Sequence, residues 1–234
     1  MDDLGIADDL DVFDRQVAVE GRTVVDAGCG AGGFSRHLLA RGAKVIALEP
    51  DAAQAAEHAA GLALEPGVRF VETGAEAMPC GDGSVDGVVF SKSLHHIPRE
   101  HMDRALDEAV RVLRPGEGFL YVLEPAIEGD FSALMRPFHD ETRVRGTAME
   151  ALDRLETRSS LTRRTLHYRN LRTFADFEAF VRSVCGTSYN SIERARVDLP
   201  QVRERFASGH DPASGRHVFE QPMRVDLFTP SAVS

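Results

Sequence analysis

The sequence predicts an α/β fold, a mostly parallel sheet with helices on both faces and a helical insertion after its fifth strand. Three observations predict it. Short apolar runs alternate with helix-period stretches through the first half of the chain. The connections between them are only a few residues long. A glycine-rich turn at 28–33 closes the first run and opens the first helix pattern.

Taken in order, residues 23–26 read as a short buried strand and 33–41 as a helix, with Phe34 and Leu38 on one face and Gly42 as its stop. Residues 44–48 are the second strand. Asp51 is placed to cap an alanine-rich helix that ends near Leu64. Residues 68–71 and 85–90 are the third and fourth strands. Met102, Leu106, Ala109, Val110 and Leu113 form one apolar helical stripe, ended by Pro115-Gly116, and 118–123 is the fifth strand. In such sheets a ligand lies beyond the carboxyl ends of the strands, where strand order reverses. After Glu124 the rhythm changes. Phe131, Leu134, Met135 and Phe138, then Met149, Leu152 and Leu155, have helical spacing, so 127–172 reads as a mainly helical insertion. Residues 173–185 read as a further helix, and late strands are expected around 188–197 and 217–228. Leu10, Phe13 and Val17 predict a short N-terminal helix. Residues 1–19 are read as a lid over the ligand end, and 20–234 as one domain.

The net charge of −10 argues against a general nucleic-acid binder, which needs a basic footprint. No apolar stretch approaches membrane-spanning length. The first twenty residues are rich in Asp, the reverse of a secretory leader. Cys29, Cys80 and Cys185 lie far apart with no C-x-x-C pair. Reduced thiols, a cytoplasmic location and no structural zinc are therefore expected. Residues 1–125 hold 11 basic and 22 acidic side chains, whereas 126–172 hold 9 and 7.

The loop Gly28-Cys29-Gly30-Ala31-Gly32-Gly33 follows a strand and opens a helix, so its backbone can turn tightly and approach a ligand. It satisfies the dinucleotide pattern as well. Glu49, at the end of the second strand, can accept hydrogen bonds from ribose hydroxyls of either NAD or S-adenosylmethionine. Asp26 helps separate them. A carboxylate at the mouth of the loop repels a pyrophosphate but suits an ammonium or sulfonium.

At this point the motifs resemble a family. Residues 24–33 and 45–50, then 72–79, 83–89, 93–98 and 111–118, resemble in unbroken order the class I S-adenosylmethionine-dependent methyltransferases, in their ubiquinone/menaquinone-biosynthesis-like, small-molecule branch. The resemblance implies a Rossmann-like, seven-stranded sheet with one antiparallel strand near its end. It implies S-adenosyl-L-methionine as cofactor, bound by Asp26, Gly28, Cys29, Gly30, Glu49, Pro50, Ala75, Glu76 and Ser91. One position departs from the family. Gly74 stands where relatives carry an Asp or Asn that meets the adenine amino group, so adenine recognition falls to the backbone at Ala75 and to Glu76.

Methyl transfer from a sulfonium is a direct displacement, so alignment and exclusion of water are the main tasks. A base is needed only where the acceptor must lose a proton. His95 and His96 are the nearest candidates, and Glu124 is expected to face the acceptor. His139, Asp140 and Glu141, taken as neighbours on a helix, diverge and read as a solvated face, so no metal site is expected. Arg158, Arg163, Arg164, Arg169 and Arg172 are either solvated surface or attract an anionic acceptor. The expected partner is a small-molecule acceptor, to a monomer or homodimer. Two other readings stay open. One is a non-catalytic S-adenosylmethionine-binding partner subunit. The other is a nicotinamide-dependent dehydrogenase, which Asp26 and segments 75–79 and 94–98 disfavour.

Overall fold

Successive residues of a strand point to opposite faces, so a sheet covered on both sides buries neighbours alike. Val24 and Val25, and again Val88 and Val89, are all fully buried. Val25 and Val88 join one hydrophobic core, Val24 and Val89 the other. The computed structural model describes residues 2–62, 65–185 and 192–231. The first half of the chain comprises β1 (Asp2–Ile6), α1 (Asp9–Gln16), β2 (Thr23–Ala27), α2 (Gly33–Ala40), β3 (Lys44–Leu48), α3 (Ala52–Leu62), β4 (Val68–Val71), β5 (Gly87–Ser91), α4 (Arg99–Val112) and β6 (Phe119–Pro125). There follow α5 (Asp130–Met135), α6 (Thr142–Arg158), β7 (Leu161–Phe174), α7 (Phe177–Cys185), α8 (Arg194–Val197), α9 (Pro200–Ser208), β8 (His210–Asp211) and β9 (Arg216–Pro230).

The sheet runs β1-β7-β9-β6-β5-β2-β3-β4, with β8 paired to β9. Seven of these strands are the expected mostly parallel set, in which β9 alone runs antiparallel to its neighbours β6 and β7. β1 adds a parallel edge strand on β7. Helices α4 and α6 cover one face with Leu106, Ala109, Ala151 and Leu155. α1 and α2 cover the other with Val12, Phe13, Phe34 and Leu38. Strand order reverses between β2 and β5, which opens a crevice at their carboxyl ends.

Several elements differ from expectation. The fourth strand starts at Gly87, because Val85 forms only an isolated bridge to Leu113. The insertion is helical only to Arg158; its residues 161–172, and the first two residues of the expected next helix, form β7. Residues 161–172 carry little apolar periodicity. What makes them a strand is antiparallel pairing with β9 from Leu161↔Pro230 to Phe174↔His217. The pairing is braced by Arg163 to Asp226, a bond of 2.8 Å. Arg194–Val197 is helix where strand was expected, and Val197 turns into a phenylalanine-rich cluster with Phe174, Phe180, Phe206 and Phe219. Residues 188–191 of that expected strand, and Leu64 at the expected helix end, lie outside the described residues. The N-terminal helix is present at Asp9–Gln16, capped by Asp8, with Val12 and Phe13 fully buried. No helix among the described residues is long and apolar enough to cross a membrane.

Candidate active site

The glycine loop is shaped by backbone that only glycine adopts readily. Gly28, Gly30 and Gly32 have φ of 77°, 47° and 72°. At Gly28 space matters too, since a Cβ there would lie 2.7 Å from Ser93 Cβ. The loop is tied to β3, as Gly28 and Cys29 N–H both donate to Leu48 O at 2.9 Å. Glu49 is buried at the tip of β3. It accepts from Gly30 N–H at 2.9 Å and Asp51 N–H at 3.1 Å, so the same carboxylate pins the loop and the start of α3. Asp51 caps α3 through Ala53 and Gln54.

Asp26 is 1% exposed. Its Oδ2 accepts from Ser35 Oγ at 2.5 Å, and its Oδ1 is buried with no hydrogen-bond partner. Burial raises its pKa to about 6; Ser35 opposes the shift and the charge of Glu49 adds to it. Ser35 sits in the first turn of α2, so a carboxylate occupies the helix end where a dinucleotide's pyrophosphate would bind. An unsatisfied buried acceptor has room for a hydrogen-bond donor. The ammonium of a methionine moiety is such a donor, so the residues present fit S-adenosylmethionine.

At the adenine end, Ala75 is buried in a short 3₁₀ turn, Ala75–Ala77. The Glu76 carboxylate folds back onto Gly74 and fills the place that a Cβ there would take. The side chain missing at Gly74 is thus replaced in space by Glu76. Pro50 is exposed, and Ser91 is half-buried at the end of β5. The Cys29 side chain belongs to the core beside Phe13 and Phe34, and burial pushes its thiol up. What Cys29 can offer a ligand is backbone.

Beyond β5 the chain turns at Lys92, a non-glycine residue with φ 58°, whose Nζ pairs with Asp9 at 2.8 Å. Ser93 Oγ donates to Ala27 O at 2.5 Å and closes the turn onto the glycine loop. His95 and His96 follow in a 3₁₀ turn, Leu94–His96, with their rings 4.0 Å apart. Glu124, at the end of β6, accepts from Leu94 N–H at 3.0 Å and pairs tightly with His95 Nδ1. On its other side, His95 Nε2 is 3.6 Å from Glu141 Oε1. That same oxygen lies 2.8 Å from His139 Nε2, while Glu141 Oε2 accepts from Arg145 at 2.6 Å. Burial works to lower the His95 pKa, but Glu124 and then Glu141 outweigh it and raise it to about 9. His96 keeps an exposed surface, yet desolvation by the protein around it and then the charge of His95 lower its pKa to about 4. Burial disfavours the charged form of Glu141, but His139, His95 and Arg145 hold its carboxyl well below the usual range.

This corrects the reading of His139 and Glu141 as a solvated face. The segment 139–141 is not helical but connects α5 to α6. Its residues alternate: His139 and Glu141 turn inward, and exposed Asp140 bonds Thr142 N–H. Sequence reasoning missed the roles of Ser35, Ser93, Glu141 and Arg145. Only Ser93, inside a motif-bearing segment, had a signal. The five arginines are engaged within the chain. Arg158 pairs with Asp103 and Asp107, Arg163 with Asp226, Arg164 with Asp2, and Arg169 with Glu220, while Arg172 lies over the Phe131 ring. A cavity of about 50 Å³ adjoins the acidic-histidine cluster, walled by Phe131, Met135, Arg136, His139, Glu141 and Arg145 among others.

Residues 24–116 match a family of methyltransferase domains. A protein of Mycobacterium sp. (strain JLS) named "uncharacterized methyltransferase" is 40% identical over 96 residues, 41% of this chain and 36% of its own length. One of the same name from Mycobacterium ulcerans (strain Agy99) is 38% identical over 112 residues, 47% of this chain and 42% of its own. The matched stretch thus spans well under half of these curated relatives. Among solved structures, a SAM-dependent methyltransferase from Aquifex aeolicus superposes with TM-score 0.56 at 16% identity, covering 94% of this chain and 89% of that one. The [4+2]-cyclase SpnF superposes with TM-score 0.58 at 19% identity, over 95% and 81%. At such identities the likeness shows the fold alone. Residues 24–116 thus carry a methyltransferase domain, on a fold shared with solved S-adenosylmethionine-dependent methyltransferases.

Proposed function

We propose that this protein transfers a methyl group from S-adenosylmethionine to a small-molecule acceptor by direct displacement. The observation that carries the reading is Asp26, whose buried Oδ1 has no partner and stands beside the glycine loop. When bound, the cofactor supplies an activated methyl group on its sulfonium. Asp26 Oδ1 accepts from the methionine ammonium. Gly28 and Gly30 let the backbone come close, and Cys29 contributes main-chain atoms only. Glu49, already oriented by two N–H donors, receives the ribose hydroxyls on its remaining lone pairs. Ala75 and Glu76 hold the adenine, with Pro50 beside the ribose and Ser91 at the methionine end. Residues 1–19 close over this end; Phe13 packs edge-on against Phe34 of α2, and Asp9 pairs with Lys92.

On the acceptor side, the cluster built on His95 and His96 orients the acceptor and handles its proton where one must leave. A net acidic chain favours a small acceptor over a nucleic acid. Arg136, exposed in the cavity wall, is placed to meet an anionic group on it, since the five arginines named earlier serve the fold. The first test is calorimetric titration with S-adenosylhomocysteine, followed by assay of its release from S-adenosylmethionine over a panel of small acceptors. Cofactor binding with turnover is expected. Binding without turnover on any acceptor would favour the non-catalytic partner subunit, and nicotinamide dinucleotide binding in its place would favour the dehydrogenase.

A further inference from the structure

The geometry points to a site for a divalent transition-metal ion formed by His95, His96 and Glu141. It deepens the acceptor side of the proposed methyl-transfer site and rests on that reading for its role. The ligating atoms of the three residues lie within 4.8 Å of one another. Two imidazoles and one carboxylate suit first-row divalent ions such as zinc or cobalt, whereas magnesium and calcium prefer oxygen throughout. His95 Nε2 and Glu141 Oε1 are 3.6 Å apart. That is too long for a hydrogen bond. It is near the edge, about 3.3 Å, of a tetrahedron of ligands roughly 2.0 Å from zinc.

The surroundings of the two inner ligands strengthen the assignment. His95 Nδ1 is engaged by Glu124, which fixes the ring and turns Nε2 toward Glu141. Glu141 is held in turn by Arg145 on Oε2 and His139 on Oε1. Metal ligands are commonly oriented by outer partners of this kind. Exposure is graded, with His95 buried, Glu141 half-buried and His96 exposed. Glu141 and His139 also wall the 50 Å³ cavity, which has room for a water or one ligand atom. Three protein ligands with an open position are the pattern of catalytic rather than structural sites. An acceptor hydroxyl on the ion would be oriented there and would release its proton to water more readily.

The test uses the full chain, stripped with a chelator and titrated with Co²⁺ and then Zn²⁺. One equivalent of Co²⁺ per chain is expected, with a visible ligand-field band that Zn²⁺ abolishes. Affinity should fall about tenfold or more in Glu141→Gln and in His96→Ala. His96 is exposed, so that variant should retain the wild-type circular dichroism. Absence of stoichiometric uptake, or uptake unchanged in both variants, overturns the site. S-adenosylhomocysteine titrations on the same samples separate the two proposals. Cofactor binding without metal removes the metal site alone, and metal uptake without cofactor binding removes the methyl-transfer reading alone.

Discussion

The two halves of the proposed site, one for the cofactor and one for the acceptor, are built differently. The cofactor half is assembled from short local segments: the tip of β2, the glycine loop, the tip of β3 and the turn at Ala75–Ala77. The hydrogen bonds of its two carboxylates join residues no more than 19 apart, as Glu49 to Gly30 and Asp26 to Ser35. The acceptor half joins β5, β6 and the approach to α6, with Glu124 29 residues from His95 and the histidines facing Glu141 across the insertion. The lesson is that contiguous motifs can build the glycine-loop half, while the histidine half is set by how an insertion packs.

The comparison is tested most severely at Gly28. Alanine there must adopt a left-handed φ and crowd Ser93, at a cost of about 2–4 kcal/mol. S-adenosylhomocysteine binding in calorimetry should fall beyond a hundredfold, with a lowered Tm. Wild-type affinity with reduced stability alone would show that the close approach serves packing only.

Asp26→Asn should separate binding from stability. Losing a charge-assisted bond to an ammonium lowers affinity by ten- to a hundredfold, for a loss of about 1.5–3 kcal/mol. The fold should gain stability. The folded-state pKa of about 6 lies above the ordinary 3.8, so the stability from this group is full below 3.8 and falls away as pH rises through 6. Neutralising it should recover about 3 kcal/mol at pH 7, seen as a raised Tm. In the wild type, cofactor affinity should weaken as pH drops below about 6 and Asp26 takes up a proton.

Glu124→Gln acts on the other half. Turnover should fall about tenfold while S-adenosylhomocysteine affinity stays within twofold, because the change touches His95 and not the glycine loop. Equal losses in both would erase the division between the halves. The smallest effect is expected from Arg158→Ala, an exposed ion pair with Asp103 and Asp107. Acceptor KM should not change and stability should drop by less than about 1 kcal/mol. A selective rise in KM would return that arginine to the acceptor site.

The sequence by itself determined the parallel half of the sheet, because apolar period and glycine punctuation are local signals. Lys44–Leu48 and Val68–Val71 match their expected bounds. It also singled out the glycine loop with Asp26 and Glu49, and the structure ties Glu49 to Gly30 and Asp26 to Ser35 of the helix that the loop opens. Tertiary structure alone decided that residues 161–174 are strand, since their periodicity is weak and β9 supplies the pairing. It alone placed Glu141 against His95 and Glu76 against Gly74. Those juxtapositions depend on side chains meeting across separate elements or folding back over a turn, and no spacing along the chain encodes either.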